Sequence, residues 1–169
     1  MPFYTKLQGE SLEVQKQVVN ELMKRATQSL RLGEDGLTKR GLLPEDLGLT
    51  GAWAFDITST LGYDTMVDAA TISDQRFIAI TGIQYAKSSE QLIKQIKIEK
   101  ANKTARIWNI QGTNLLEENT IYFPDPIIVE QNQPITIYGY NDSTSTSSSS
   151  ERIVIIGEVI EKKGILLAD

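Results

Sequence analysis

Two hydrophobic rhythms divide the chain. From Ser11 to Leu32, Val14, Val18, Leu22, Ala26 and Leu30 fall four apart, with Val19 and Met23 on the same side. Gln15, Lys16, Glu21, Lys24 and Arg25 fill the remaining positions, so the spacing predicts an amphipathic helix about 30 Å long. Ser11 is placed to cap its first turn, Glu13 lies near the positive end of its dipole, and Gly33 is placed to stop it. Such a helix either lies on its own domain or reaches a neighbouring subunit.

Residues 33–51, GEDGLTKRGLLPEDLGLTG, read as a glycine-rich connector. One helical turn is expected at Pro44–Leu47, where proline suits the first helical position. The organisation predicted is a helix with its connector over 1–50, followed by a β domain over 51–169.

From Ala52 onward the period becomes two. AWAFDIT, RFIAITGIQY, LIKQIKIEK, ARIWNI, TIYF, PIIVE, PITIYGY and RIVIIGEVIE read as strand segments. LIKQIKIEK alternates Ile96 and Ile98 against Lys97 and Glu99, and PITIYGY alternates Ile135 and Ile137 against Thr136 and Tyr138. Turn-rich breaks such as KANK, QGTN, PDP and QNQP separate them. About eight short segments at even spacing predict a mainly β protein, a sandwich or closed barrel. Gly82 marks a bulge or bend within its segment, and Pro124, Pro126 and Pro134 are expected at segment ends.

Between the apolar runs PITIYGY and RIVIIGEVIE stand consecutive Ser and Thr residues from Ser143 to Ser150. They predict a long exposed loop from Asn141 to Glu151, with Asn141, Ser143 and Ser150 along it. It is either a tolerated insertion or a loop presented to solvent or a host surface.

Composition narrows the chemistry. A net charge of −5 argues against nucleic-acid binding, because neutralising phosphate needs clustered Lys and Arg. Lys24, Arg25, Arg31, Lys39 and Arg40 are diluted by Glu21, Glu34 and Asp35. The chain has no Cys and no His, which removes thiolate nucleophiles, disulfides, the usual general base and the commonest metal ligands. No S-x-x-K pair and no phosphate-cradling glycine pattern occurs. No catalytic residue, metal or cofactor is therefore expected, and Glu117, Glu118, Asp125 and Glu130 read as turn and edge residues. Glycosylation sequons stand at Asn102 and Asn141, the latter favoured by its place at the loop. Trp53, Trp108, Tyr122, Tyr138 and Tyr140 read as core packing or as a sugar-stacking face. No signal peptide and no membrane-spanning run is visible.

The helix, the connector, the strand series from WAFDIT to RIVIIGEVIE and the polar loop together resemble the single jelly-roll capsid proteins of tailless icosahedral viruses of archaea and bacteria. The resemblance implies a jelly-roll β-sandwich of about eight strands with an N-terminal α-helix. It implies that Val14, Val18, Leu22, Met23, Ala26 and Leu30 form an assembly helix, with the Ser/Thr loop on the outer surface. The partners implied are copies of the chain and other capsid proteins, in the virion and, during assembly, in the host cytoplasm. One departure is plain: residues 1–32 hold five cations against three acids, not the strongly basic arm of genome-binding coat proteins. The competing reading is a carbohydrate- or receptor-binding sandwich of a fibre or spike. A jelly-roll enzyme of the cupin type would need the histidines that are missing.

Overall fold

The computed structural model describes residues 4–58, 61–86, 91–142, 144 and 149–165. Helix α1 spans Glu10–Leu30. The strands are β1 Leu37–Gly41, β2 Phe55–Ile57, β3 Gly62–Thr71, β4 Arg76–Tyr85, β5 Ile93–Lys100, β6 Lys103–Asn109, β7 Thr120–Val129, β8 Pro134–Asn141, β9 Ser149–Glu151 and β10 Ile153–Lys162. All the ladders are antiparallel, in sheets ordered β1-β10-β4-β7 and β3-β8-β5-β6 with a small β2-β9 pair. The architecture is mainly β and sandwich-like, with one N-terminal helix.

Alternation builds the core. In β8, Ile135 and Ile137 point inward while Thr136, Tyr138 and Tyr140 point out. These isoleucines share one buried cluster with Ile96 and Ile98 of β5 and with Ile78, Ile80 and Ile83 of β4. Trp108 of β6 stacks on Phe123 of β7 with ring centroids 3.8 Å apart, joining an edge of each sheet. Each such buried side chain contributes about 1.5–3 kcal/mol.

Strand β4 is buried on both faces, which is why its sequence runs apolar almost without interruption. Its outer side chains, Phe77 and Ala79, join Leu37 of β1 and Ile160 of β10 in a second cluster beneath Leu22 and Ala26 of α1. Val18, Met23 and Leu30 pack around that cluster, and Val14 is half-buried. The face assigned to assembly is thus occupied by the chain's own sheet: Phe77 and Ala79 need cover, and the helix supplies it. Ser11 does not cap the helix; Gly9 holds the N-cap position, and the Ser11 hydroxyl accepts the Gln8 N–H and has its one proton within reach of the Lys6 and Gln8 carbonyls.

The connector contributes a strand, β1, as well as the expected turn at Pro44–Leu47, here a 3₁₀ helix. The predicted boundary at residue 51 therefore falls after the sandwich has begun. TIYF and PIIVE are one strand, and Pro124 and Pro126 lie inside it rather than at its ends. They are tolerated because the β4–β7 register jumps between Ile80↔Ile127 and Gly82↔Tyr122, leaving the Pro-Asp-Pro stretch in the irregularity. Gly82 stands at that shift as expected, and a Cβ there would lie 2.4 Å from the Ile121 carbonyl oxygen.

The polar tract differs from a simple loop. Asn141 is not exposed: it closes β8, paired with Gly62 and Ile93, and is only 3% exposed. The inward alternation of β8 carries it into the sandwich, since it follows Gly139 by two. Ser150 is exposed but belongs to β9, opposite Asp56 of β2. Ser143 lies outside the described residues.

Candidate functional site: a tyrosine-lined sheet face

Helix α1 covers the outer side of one sheet. Among the described residues no helix covers the outer side of β3-β8-β5-β6, and register sets its side chains in two rows. Tyr63 of β3 stands opposite Tyr140 of β8, which stands opposite Gln95 of β5 and then Asn109 of β6. In the next row Thr65, Tyr138, Lys97 and Ile107 follow in the same order. Cross-strand neighbours on one face lie close enough to interact, so the rows are a packed surface rather than isolated side chains.

The rings meet edge to face. Tyr63 lies 5.1 Å from Tyr140 and 6.3 Å from Tyr138, centroid to centroid. The Lys97 ammonium sits 4.6 Å from the centroid of Tyr63 and 4.4 Å from that of Tyr138. Glu99 completes the group, 3.3 Å from Lys97 Nζ and accepting the Tyr138 hydroxyl proton at 3.3 Å. Burial, reinforced by the Glu99 charge, pushes the Tyr138 phenol above its ordinary value. Apolar ring surface here lies beside the amides of Gln95 and Asn109 and the charged pair. Such a face suits a partner that is itself part apolar and part hydrogen-bonding.

Of the five aromatics singled out in the sequence, Tyr138 and Tyr140 lie on this face, each meeting the ring of Tyr63. Trp108 stacks in the core with its indole N–H donating to Asp125 at 2.8 Å, and Trp53 packs on the edge of the same core. Tyr122 lies on β7, bridged to Tyr4. Tyr63 was missed because its strand was not recognised.

Two buried polar groups also form only in the fold. Arg40 of β1 grips Asp46 with two bonds of 2.7 Å and reaches Glu161 of β10 at 3.0 Å. Arg76 of β4 meets the same two carboxylates at 3.2 and 2.8 Å. Asp46 raises the Arg40 pKa further, and its Oδ2 also accepts the Leu43 N–H. With every charge opposed by two, the tetrad staples the Pro44–Leu47 turn to the sheet. At the other end of the sandwich the Tyr85 hydroxyl donates to buried Glu151, and burial raises that phenol's pKa. Glu117, Glu118, Asp125 and Glu130 do not converge, and Glu118 and Glu130 pair with Lys6 and Arg25. Asn102 stands exposed at the β5–β6 turn, whereas the Asn141 sequon is buried.

No protein-family model matches the chain, and no curated protein and no solved structure matches it. Among the described residues no helix is long and apolar enough to cross a membrane.

Proposed function

We propose that this chain is a structural subunit of a capsid, a jelly-roll β-sandwich that self-assembles into a closed shell. The observation that carries the reading is the nesting of its strands. Leaving aside the three-residue β2 and β9, the first long strand pairs with the eighth, the second with the seventh, the third with the sixth and the fourth with the fifth. A ribbon of four such pairs, rolled so that alternate pairs adjoin, yields the two observed orders. This nesting supports reading the fold as the double-sheet jelly roll used by viral capsid and lectin domains. Fold alone does not assign a role, and the remaining support is a composition lacking His and Cys, the usual general base and thiolate nucleophile. The helix then contributes to contacts through its outward side, since its apolar side is in use. Sedimenting a lysate of the native source tests the reading. A fast-sedimenting particle containing the chain is expected, and a monomer or trimer overturns it.

A second reading has one observation of its own, the tyrosine face. On that reading the chain is a glycan- or receptor-binding module of a fibre or spike, with rings stacking on sugar and Gln95 and Asn109 serving its hydroxyls. A glycan screen of the isolated protein, repeated with Tyr63→Ala and Tyr140→Ala, decides it. Binding lost in both variants supports the module; no binding by the unaltered chain removes it.

A further inference from the structure

Leu115 is 84% exposed, more than any other large apolar side chain among the described residues. Its exposure is held in place. It ends a 3₁₀ turn, Thr113–Leu115, that follows Gly112 in the left-handed region. Thr113 is fully buried, Leu116 packs against the core, and the Asn114 N–H donates to Gln91 at 3.3 Å. Residues on both sides thus point inward while Leu115 stands out, followed by exposed Glu117. A preorganised apolar knob loses little entropy when it is buried by a partner.

A complementary hollow lies under the N-terminal half of α1, beside β1 and β10. It is a groove of about 340 Å³ whose apolar lining comes from Leu7, Leu12 and Val19. Leu7 and Leu12 are 44% and 36% exposed. Lys16 and Lys39 flank it, with Glu158 3.9 Å from Lys39, so its charged groups sum to one positive charge. Gln15 lines it too; that residue is 9% exposed, and its amide nitrogen has no hydrogen-bond partner among the described residues. A buried unpaired donor costs about 1–3 kcal/mol, which an incoming carbonyl or carboxylate would relieve.

We propose that the occupant of this groove is the Leu115 turn of a second copy of the chain. The knob offers one leucine and the exposed Glu117 carboxylate, which has no ion pair among the described residues; the groove offers an apolar bed, a net positive charge and a donor. The contact joins two different surfaces, and a contact of that kind closes into rings or extends, depending on the rotation it imposes. It names an interface for the assembly reading and rests on that reading for the identity of the partner. A single such contact is weak, and repetition around a closed assembly strengthens it.

Because the chain has no cysteine, the contact can be read by cross-linking. Leu115→Cys and Leu12→Cys, each exposed, are purified separately, mixed and oxidised. A disulfide-linked dimer is expected in the mixture and is lost when Leu12→Cys also carries Lys16→Glu. Adding Glu117→Lys to the Leu115→Cys partner restores it. Ile107→Cys, on the bare sheet face and 54% exposed, replaces Leu12→Cys as the control. Cross-linking no greater than with that control overturns the proposal. A sedimenting particle without the cross-link removes this contact and leaves the shell reading standing. The cross-link in a protein that forms only a small oligomer keeps the contact and removes the shell.

Discussion

Tyr138 and Lys97 stand directly opposite each other across the β8–β5 ladder, with the ammonium 4.4 Å from the ring centroid. Tyr63 flanks the same ammonium from β3. The lysine thus holds three strands together from outside while its charge is shared with Glu99. Lys97→Met keeps the stem and removes the cation. It is expected to lower stability by about 0.5–1 kcal/mol, with Lys97→Arg retaining most of it. Urea unfolding of the three proteins measures this, and an unchanged midpoint in Lys97→Met contradicts it.

The arginine–carboxylate tetrad makes a larger prediction. Asp46 has no exposed side-chain surface and opposes both Arg40 and Arg76. Asp46→Ala strands two guanidinium groups and is expected to cost about 3–5 kcal/mol. Asp46→Asn should cost less, because its amide oxygen still accepts. Thermal unfolding of both variants tests the order, and equal losses would count against a charge-based staple.

Glu158 supplies a pH dependence. Burial raises its pKa above the ordinary 4.5, partly opposed by Lys39. A carboxyl whose folded pKa exceeds its unfolded value contributes stability present below the unfolded value and lost as pH rises through the folded one. Glu158→Gln should therefore match the natural protein at acid pH below 4.5 and exceed it near neutrality. Denaturation midpoints across that range read the difference; a glutamine variant less stable at neutral pH would reverse the sign.

Two glycines mark places where strands pass too close for a side chain. A Cβ on Gly157 would lie 2.3 Å from the Ala79 carbonyl oxygen, and one on Gly82 2.4 Å from that of Ile121. Both obstacles are backbone, so neither yields cheaply. Gly157→Ala and Gly82→Ala are each expected to destabilise by about 1–3 kcal/mol. In contrast, Gly139→Ala meets side-chain atoms only, of Ile93 and Met66 at 2.9–3.1 Å, and should cost less. Chemical denaturation of the three variants ranks them, and a costlier Gly139→Ala would refute the backbone explanation.

The helix and the long apolar strands were legible because their periods are strong. β4, β8 and β10 show unbroken alternation or continuous apolar runs, and α1 shows spacing of four. β3 was not legible: Asp64, Asp68, Ala69 and Ala70 dilute its pattern, and it lies at a sheet edge where less burial is required. β1 was hidden by its composition, since Lys39 and Arg40 face solvent and the tetrad rather than an apolar core. Asn141 misled because a polar residue beside a serine run looks like a loop, although strand alternation placed it inward. The tyrosine face was half legible, since Tyr138 and Tyr140 lie on one strand while Tyr63 joins them only through register.

The position of β10 between β1 and β4 has a consequence for how the protein is made. Synthesis proceeds from the amino end, so β1 and β4 leave the ribosome long before the strand that belongs between them. Until β10 follows, β1 has no neighbour in its sheet and β4 has one open edge. The nascent chain must therefore carry unpaired strand edges and uncovered isoleucines through most of its translation, and the first sheet closes only as a late, long-range event.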